Sequence, residues 1–163
     1  MSTSKQNLPA SQAPDLKDVR VAIVAAEWNA HINDAMTVSA IKTLKKHGLD
    51  AEEDIEVLKV PGAVELTFGA SQVIESSLFD AVIVFGTVIR GGTPHFDYVC
   101  QSVTQGITAL NADCDIPVIF GVLTVDNEKD ATDRVDGTVG DKGAECAEAA
   151  LKMVAFKRKV QDL

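Results

Sequence analysis

The sequence predicts an α/β sandwich of three layers built on a four-stranded parallel sheet. Two observations predict it. Four apolar runs, rich in β-branched residues, alternate with segments whose apolar residues recur at helical spacing. The runs are continuous rather than alternating, as in strands buried on both faces. Right-handed crossovers between such strands favour a flavodoxin-like or Rossmann-like sandwich, in which ligands bind beyond the carboxyl ends of the strands.

Each element has its own justification. Met1 to Asp18 carries Ser, Gln, Lys and two prolines without apolar periodicity. It reads as a flexible or extended arm, and residues 19–163 read as one domain. Val19 to Ala26 is the first strand. In Ile32 to His47, Met36, Ala40 and Leu44 share a helical face, and Gly48 is a stop. Ile55 to Val60 is the second strand; Pro61-Gly62 breaks it, and Ala63 to Glu75 returns to helical spacing. Ala81 to Phe85 is the third strand, running on to Val88, and Asp97 to Asn111 is the third helix. Pro117 to Thr124 is the fourth strand. Glu128 to Arg134 forms a short helix, and Gly137 and Gly140 mark a turn. Lys142 to Lys159 is the last helix, with Lys157, Arg158 and Lys159 at the negative end of its dipole.

A chain of 163 residues holds one domain with a proper core but not two. Its 46% hydrophobic and 24% charged residues argue against a disordered chain. A net charge of −9 argues against nucleic acid as a partner, because phosphate backbones require a basic face. No apolar run reaches the length of a membrane span, and the first residues lack the apolar centre of a signal peptide. Cys100, Cys114 and Cys146 are odd in number and lack metal-ligand spacing. They read as reduced thiols of a cytoplasmic protein, and no metal is expected.

The chemistry concentrates at the strand ends. Trp28, the single tryptophan, follows the first strand beside Asn29; an indole there either stacks on a flat heterocycle or caps the sheet. Pro61-Gly62-Ala63-Val64-Glu65 ends the second strand and opens a helix. Its free N–H groups suit a ligand oxygen, while Glu65 in a first helical turn also simply favours the dipole. The densest stretch is Gly86 to Tyr98. Gly91-Gly92-Thr93-Pro94-His95 lets backbone amides approach an anion at a helix start, and the His95 imidazole can both take and give a proton. It is neither a Walker motif nor the Gly-x-Gly-x-x-Gly dinucleotide spacing, so a nicotinamide cofactor is not expected. Arg134 and Lys142 flank a glycine-containing turn in an acidic stretch, where they serve either as surface ion pairs or, for Arg134, as a phosphate clamp.

Together, Trp28-Asn29, Val60 to Glu65, Gly86 to Val99, Pro117 to Thr124 and Lys142-Gly143 resemble the lumazine synthase (6,7-dimethyl-8-ribityllumazine synthase) family, from about Val19 to the C-terminus. The resemblance implies condensation of 5-amino-6-(D-ribitylamino)uracil with 3,4-dihydroxy-2-butanone 4-phosphate, releasing phosphate and water. This is the penultimate step of riboflavin biosynthesis, and it uses no metal or organic cofactor. It implies that Trp28 stacks on the pyrimidine and that Asn29, Ala63 and Glu65 bind the uracil and ribityl chain. Val88 and Ile89 then border the heterocycle, Gly92 and Thr93 bind phosphate, and His95 transfers protons. Phe120, Arg134 and Lys142 match residues supplied by an adjacent subunit, with Arg134 on the phosphate. The alternative is a non-catalytic paralogue that binds a flavin or lumazine, or that only forms a shell.

Three positions depart from the family pattern: Pro94 stands where Thr or Ser is common, Asp141 where Asn is usual, and Thr67 where proline is common. The family forms pentamers, and the turn from Arg134 to Lys142 has no insertion relative to shell-forming members. The expectation is therefore a homo-oligomer, a pentamer or an icosahedral shell of sixty subunits, with riboflavin synthase as a further candidate partner.

Overall fold

A computed structural model describes residues 16–163; most of the expected arm therefore lies outside the described residues. The elements run β1 (Val21–Ala26), α1 (Ala30–Lys46), β2 (Ile55–Val60), α2 (Leu66–Ser76), β3 (Ala81–Ile89), α3 (His95–Asp113), β4 (Val118–Val125), α4 (Glu128–Thr132) and α5 (Lys142–Gln161). The strands form one parallel sheet in the order β2-β1-β3-β4. The α/β, flavodoxin-like sandwich expected from the sequence is the fold observed.

The continuous apolar runs explain the layers. β1 is buried at all six positions, and β3 at every position but its last. Side chains alternate between faces. Ile23, Ala25, Ile83 and Phe85 pack with α1 and α5. Ala22, Val24, Val82 and Val84 pack with α2 and α3 on the other face. Cys146 belongs to the first of these layers, and burial pushes its thiol up to about 11, which keeps it neutral and inert.

The chain reverses its direction of growth at β1. From β1 it crosses to β2 on one side, then returns across the sheet to β3 on the other, so the carboxyl ends of β1 and β3 part and leave a crevice. Several boundaries differ from expectation for local reasons. β3 runs to Ile89 because Val88 and Ile89 continue the ladder with Thr124 and Val125. α2 begins at Leu66, not Ala63, so Glu65 is the cap rather than a residue of the first turn. α3 begins two residues early, at His95, because Pro94 already has helical backbone angles (φ −61°, ψ −7°) and its carbonyl accepts from Asp97 N–H at 3.0 Å.

Helices α1 and α5 cross closely at Gly143, where a Cβ would collide with the Met36 backbone carbonyl. Gly143→Ala should therefore force α5 away from α1 and destabilise the protein by roughly 1–3 kcal/mol, read as a lower midpoint in urea at unchanged m-value.

Candidate functional site

The crevice is a cleft of about 630 Å³, within the range of small-molecule sites. Four segments build it: Trp28 and Asn29 after β1, Pro61 to Glu65 after β2, Thr87 to Ile89 at the end of β3, and Gly91, Thr93 and His95 at the start of α3. Trp28 is 76% exposed, so its indole is not spent on the core. The Trp28 backbone N–H donates to the Pro61 carbonyl at 3.1 Å, which ties the first segment to the second.

Asn29 turns the chain into α1 from the left-handed region (φ 62°, ψ 41°), a conformation asparagine tolerates better than most residues. Its Nδ2 donates to the Thr87 carbonyl at 2.9 Å, spanning the crevice. Behind it, Asn33 is fully buried and joins Ala26, Trp28 and Thr87 through its side chain.

The Gly91-Gly92-Thr93 turn has a particular character. Gly91 and Gly92 avoid positive φ, and among the described residues a Cβ on either would meet nothing within 4 Å. No internal packing therefore demands glycine at either position. Among the described residues, the Gly92 and Thr93 N–H groups meet no backbone acceptor. They stand at the positive end of the nineteen-residue α3 dipole. Thr93 Oγ1 accepts from the His95 N–H at 3.4 Å.

The arginine in the loop is turned toward carboxylates of its own chain. Arg90 Nε donates to Asp126 Oδ1 at 2.7 Å, and Nη1 to Asp97 Oδ1 at 3.4 Å. Its guanidinium stacks 4.1 Å over the Phe96 ring. The hydrogen bond to Asp126 pushes its pKa above the ordinary value. Arg90 thus braces the start of α3.

Arg134 and Lys142 lie elsewhere. They line a second hollow of about 890 Å³, which shares only Phe96 with the cleft. Among the described residues no carboxylate pairs with the Arg134 guanidinium, because neighbouring Asp133 accepts from Lys129 at 2.5 Å instead. Gly137, at φ 89°, turns the segment, and Lys142 N–H closes it on the Arg134 carbonyl at 2.9 Å. Lys142 Nζ lies 3.7 Å from Glu145. Asp141 does not engage it; its carboxylate caps α5 through the Ala144 N–H at 3.0 Å and accepts from Ser39 at 2.5 Å. Phe120 sits on β4 opposite Val84, half-buried against the α2/α3 layer and outside the cleft. Of the residues named from sequence, eight therefore line one cleft: Trp28, Asn29, Ala63, Glu65, Val88, Ile89, Thr93 and His95. Gly92 is in the same turn, while Phe120, Arg134 and Lys142 stand apart within the chain. Among the described residues no three His, Cys, Asp or Glu side chains converge as a metal site requires, and no helix is long and apolar enough to cross a membrane.

A family model described as 6,7-dimethyl-8-ribityllumazine synthase matches residues 18–158. The chain belongs to that family. Proteins named 6,7-dimethyl-8-ribityllumazine synthase from three organisms are close to it in sequence. That of Phocaeicola vulgatus is 49% identical, over 99% of this chain and 97% of its own. That of Bacteroides fragilis is 54% identical over 85% and 96%, and that of Parabacteroides distasonis 50% over 96% and 99%. Members of the lumazine synthase family are transferases of riboflavin biosynthesis, and this chain is an enzyme of that kind.

Three polar residues at or behind the cleft were given no role in the reading of motifs. Thr87 lines the cleft from within an apolar strand. Asn33 and Thr37 are polar residues one turn apart on the buried face of α1. A pair of polar residues at helical spacing on an otherwise apolar face was the available signal.

Since none of the described residues fills the space beside Gly92, Gly92→Ala should fold normally. Its thermal midpoint should stay close to that of the parent, with any change in free energy within about 0.5 kcal/mol.

Proposed function

We propose that the cleft binds both substrates of the lumazine synthase reaction and that a neighbouring chain completes it. The observation that carries this reading is the division of the cationic and proton-transfer groups. His95 and the glycine turn lie in the cleft, whereas Arg134, without a carboxylate partner among the described residues, lies in a separate hollow of the same chain. A phosphate dianion at the α3 start needs a guanidinium. Arg90 is committed to carboxylates, so a second subunit supplies Arg134, with Phe120 and Lys142 beside it.

The reaction condenses 5-amino-6-(D-ribitylamino)uracil with 3,4-dihydroxy-2-butanone 4-phosphate, the penultimate step of riboflavin biosynthesis. Trp28 stacks on the pyrimidine, and Ala63 and Glu65 hold its polar edge and ribityl chain with Asn29. Val88 and Ile89 border the ring. Gly92 and Thr93 present N–H groups to the phosphate. The amine attacks the ketone, the carbinolamine loses water, phosphate leaves, and a second condensation closes the ring. His95 moves protons near neutral pH, and holding two substrates together supplies much of the acceleration. The unconstrained Gly91 and Gly92 support this reading, because their lack of a side chain leaves room for a ligand. The protein is one domain from residue 19 onward, acts in the cytoplasm, and assembles as pentamers that close into an icosahedral shell of sixty subunits.

Arg134→Ala should raise the KM for the butanone phosphate by about tenfold or more, with the KM for the pyrimidine little changed. His95→Ala should lower kcat by roughly 10²-fold while assembly stays intact. Mixing these two impaired variants during refolding tests the shared site. If chains exchange groups, about a quarter of the interfaces regain both residues and activity returns; a site within one chain gives no recovery. Light scattering should find a large particle, and a species near five chains across buffers would sink the shell.

A further inference from the structure

We propose that Asn33 is a positioning residue for this reaction: without entering the cleft, it sets the Trp28 turn against the end of β3. The proposal rests on the reading of the cleft given above. Asn33 is fully buried and does not line the cleft. Its Nδ2 donates to the Ala26 carbonyl at 2.7 Å and to the Trp28 carbonyl at 2.8 Å. Its Oδ1 accepts from the Thr87 hydroxyl at 2.8 Å. Both donors and the carbonyl of one amide are therefore engaged at the point where two strands separate.

The geometry makes the amide hard to replace. The β1–β3 ladder ends at the Ala25–Phe85 pair, and beyond it β3 pairs with β4. Past that point Asn33 supplies a donor to the last residue of β1 and an acceptor to β3, acting as a rung made of side chain. Thr87 is held twice, its carbonyl by Asn29 and its hydroxyl by Asn33. Thr37 Oγ1 donates to the Asn33 carbonyl at 2.8 Å, fixing the helical turn that carries the amide. An aspartate here would keep the acceptor for Thr87 but set a carboxylate oxygen against two carbonyls in a buried site, which is strongly unfavourable. Trp28 and Thr87 both line the cleft, so the spacing between the stacking ring and the strand edge depends on a residue that no substrate touches.

Asn33→Asp is the selective test, because it spares the Thr87 contact and breaks the two that hold the Trp28 turn. Trp28 is the only tryptophan, so its emission reports that turn directly. In ligand-free variant protein, Trp28 anisotropy should fall and quenching by acrylamide should rise. The KM for the ribitylaminouracil should increase by about tenfold or more, while the KM for the butanone phosphate moves less than about threefold. Unchanged Trp28 anisotropy, or an equal rise in both KM values, would overturn the proposal. Should Asn33→Asp fail to fold, Thr87→Val cuts the same network from the strand side and leaves the Thr87 carbonyl in place. It should give the same split in weaker form, and no split would again overturn the role. Failure of the cleft reading itself would look different: the pyrimidine would not quench Trp28 in the parent protein, while ligand-free anisotropy would still decide what Asn33 does.

Discussion

The β1–β3 ladder stops at Ala25 and Phe85, and beyond it the two strands are joined by the amides of Asn29 and Asn33. This opening is forced by topology. A chain that crosses to β2 on one side of β1 and to β3 on the other cannot cover both strand ends with the same connection. The crevice is therefore where the fold has backbone groups to spare, and its width is set by two side chains rather than by a ladder. Trp28 on one segment and Thr87 to Ile89 on another keep a fixed relation because those amides hold it.

Around that opening, the protein spends its charges unevenly. Although the chain is strongly acidic, two arginines near the site have opposite fates. Arg90 is held by Asp126 and Asp97 and laid over Phe96, so it stiffens the start of α3 instead of meeting a ligand. Arg134 has no carboxylate partner among the described residues, because Lys129 takes Asp133. A guanidinium left free in an acidic region is suited to an anion from outside the chain. Gly91 and Gly92 tell the same story for shape: no contact among the described residues requires them to be glycine.

Most of the fold was legible in the sequence because the relevant forces are local in pattern. Continuous burial of β1 and β3 shows as unbroken apolar runs, and α1 as Met36, Ala40 and Leu44 at helical spacing. Boundaries moved by one to three residues where a cap decided them, as at Glu65 and Pro94. The site was legible in its turns, since Trp28, Gly92, Thr93 and His95 stand in short motifs. Thr87 was not, because a hydroxyl inside an apolar strand looks like ordinary strand composition. Asn33 was not, because it looks like a tolerated polar residue within a helix.

By itself the sequence determined the order of strands and helices, their layers and the family, since each of these is written in residues close together along the chain. Tertiary structure alone decided that Arg90 pairs with Asp126, that Asp141 caps α5 instead of engaging Lys142, and that Asn33 spans the crevice to Thr87. The physical reason is that these outcomes are choices among partners. Arg90 and Asp126 are 36 positions apart, and Asn33 and Thr87 are 54. Only the folded sheet brings such groups within hydrogen-bonding distance and so settles which of them pair.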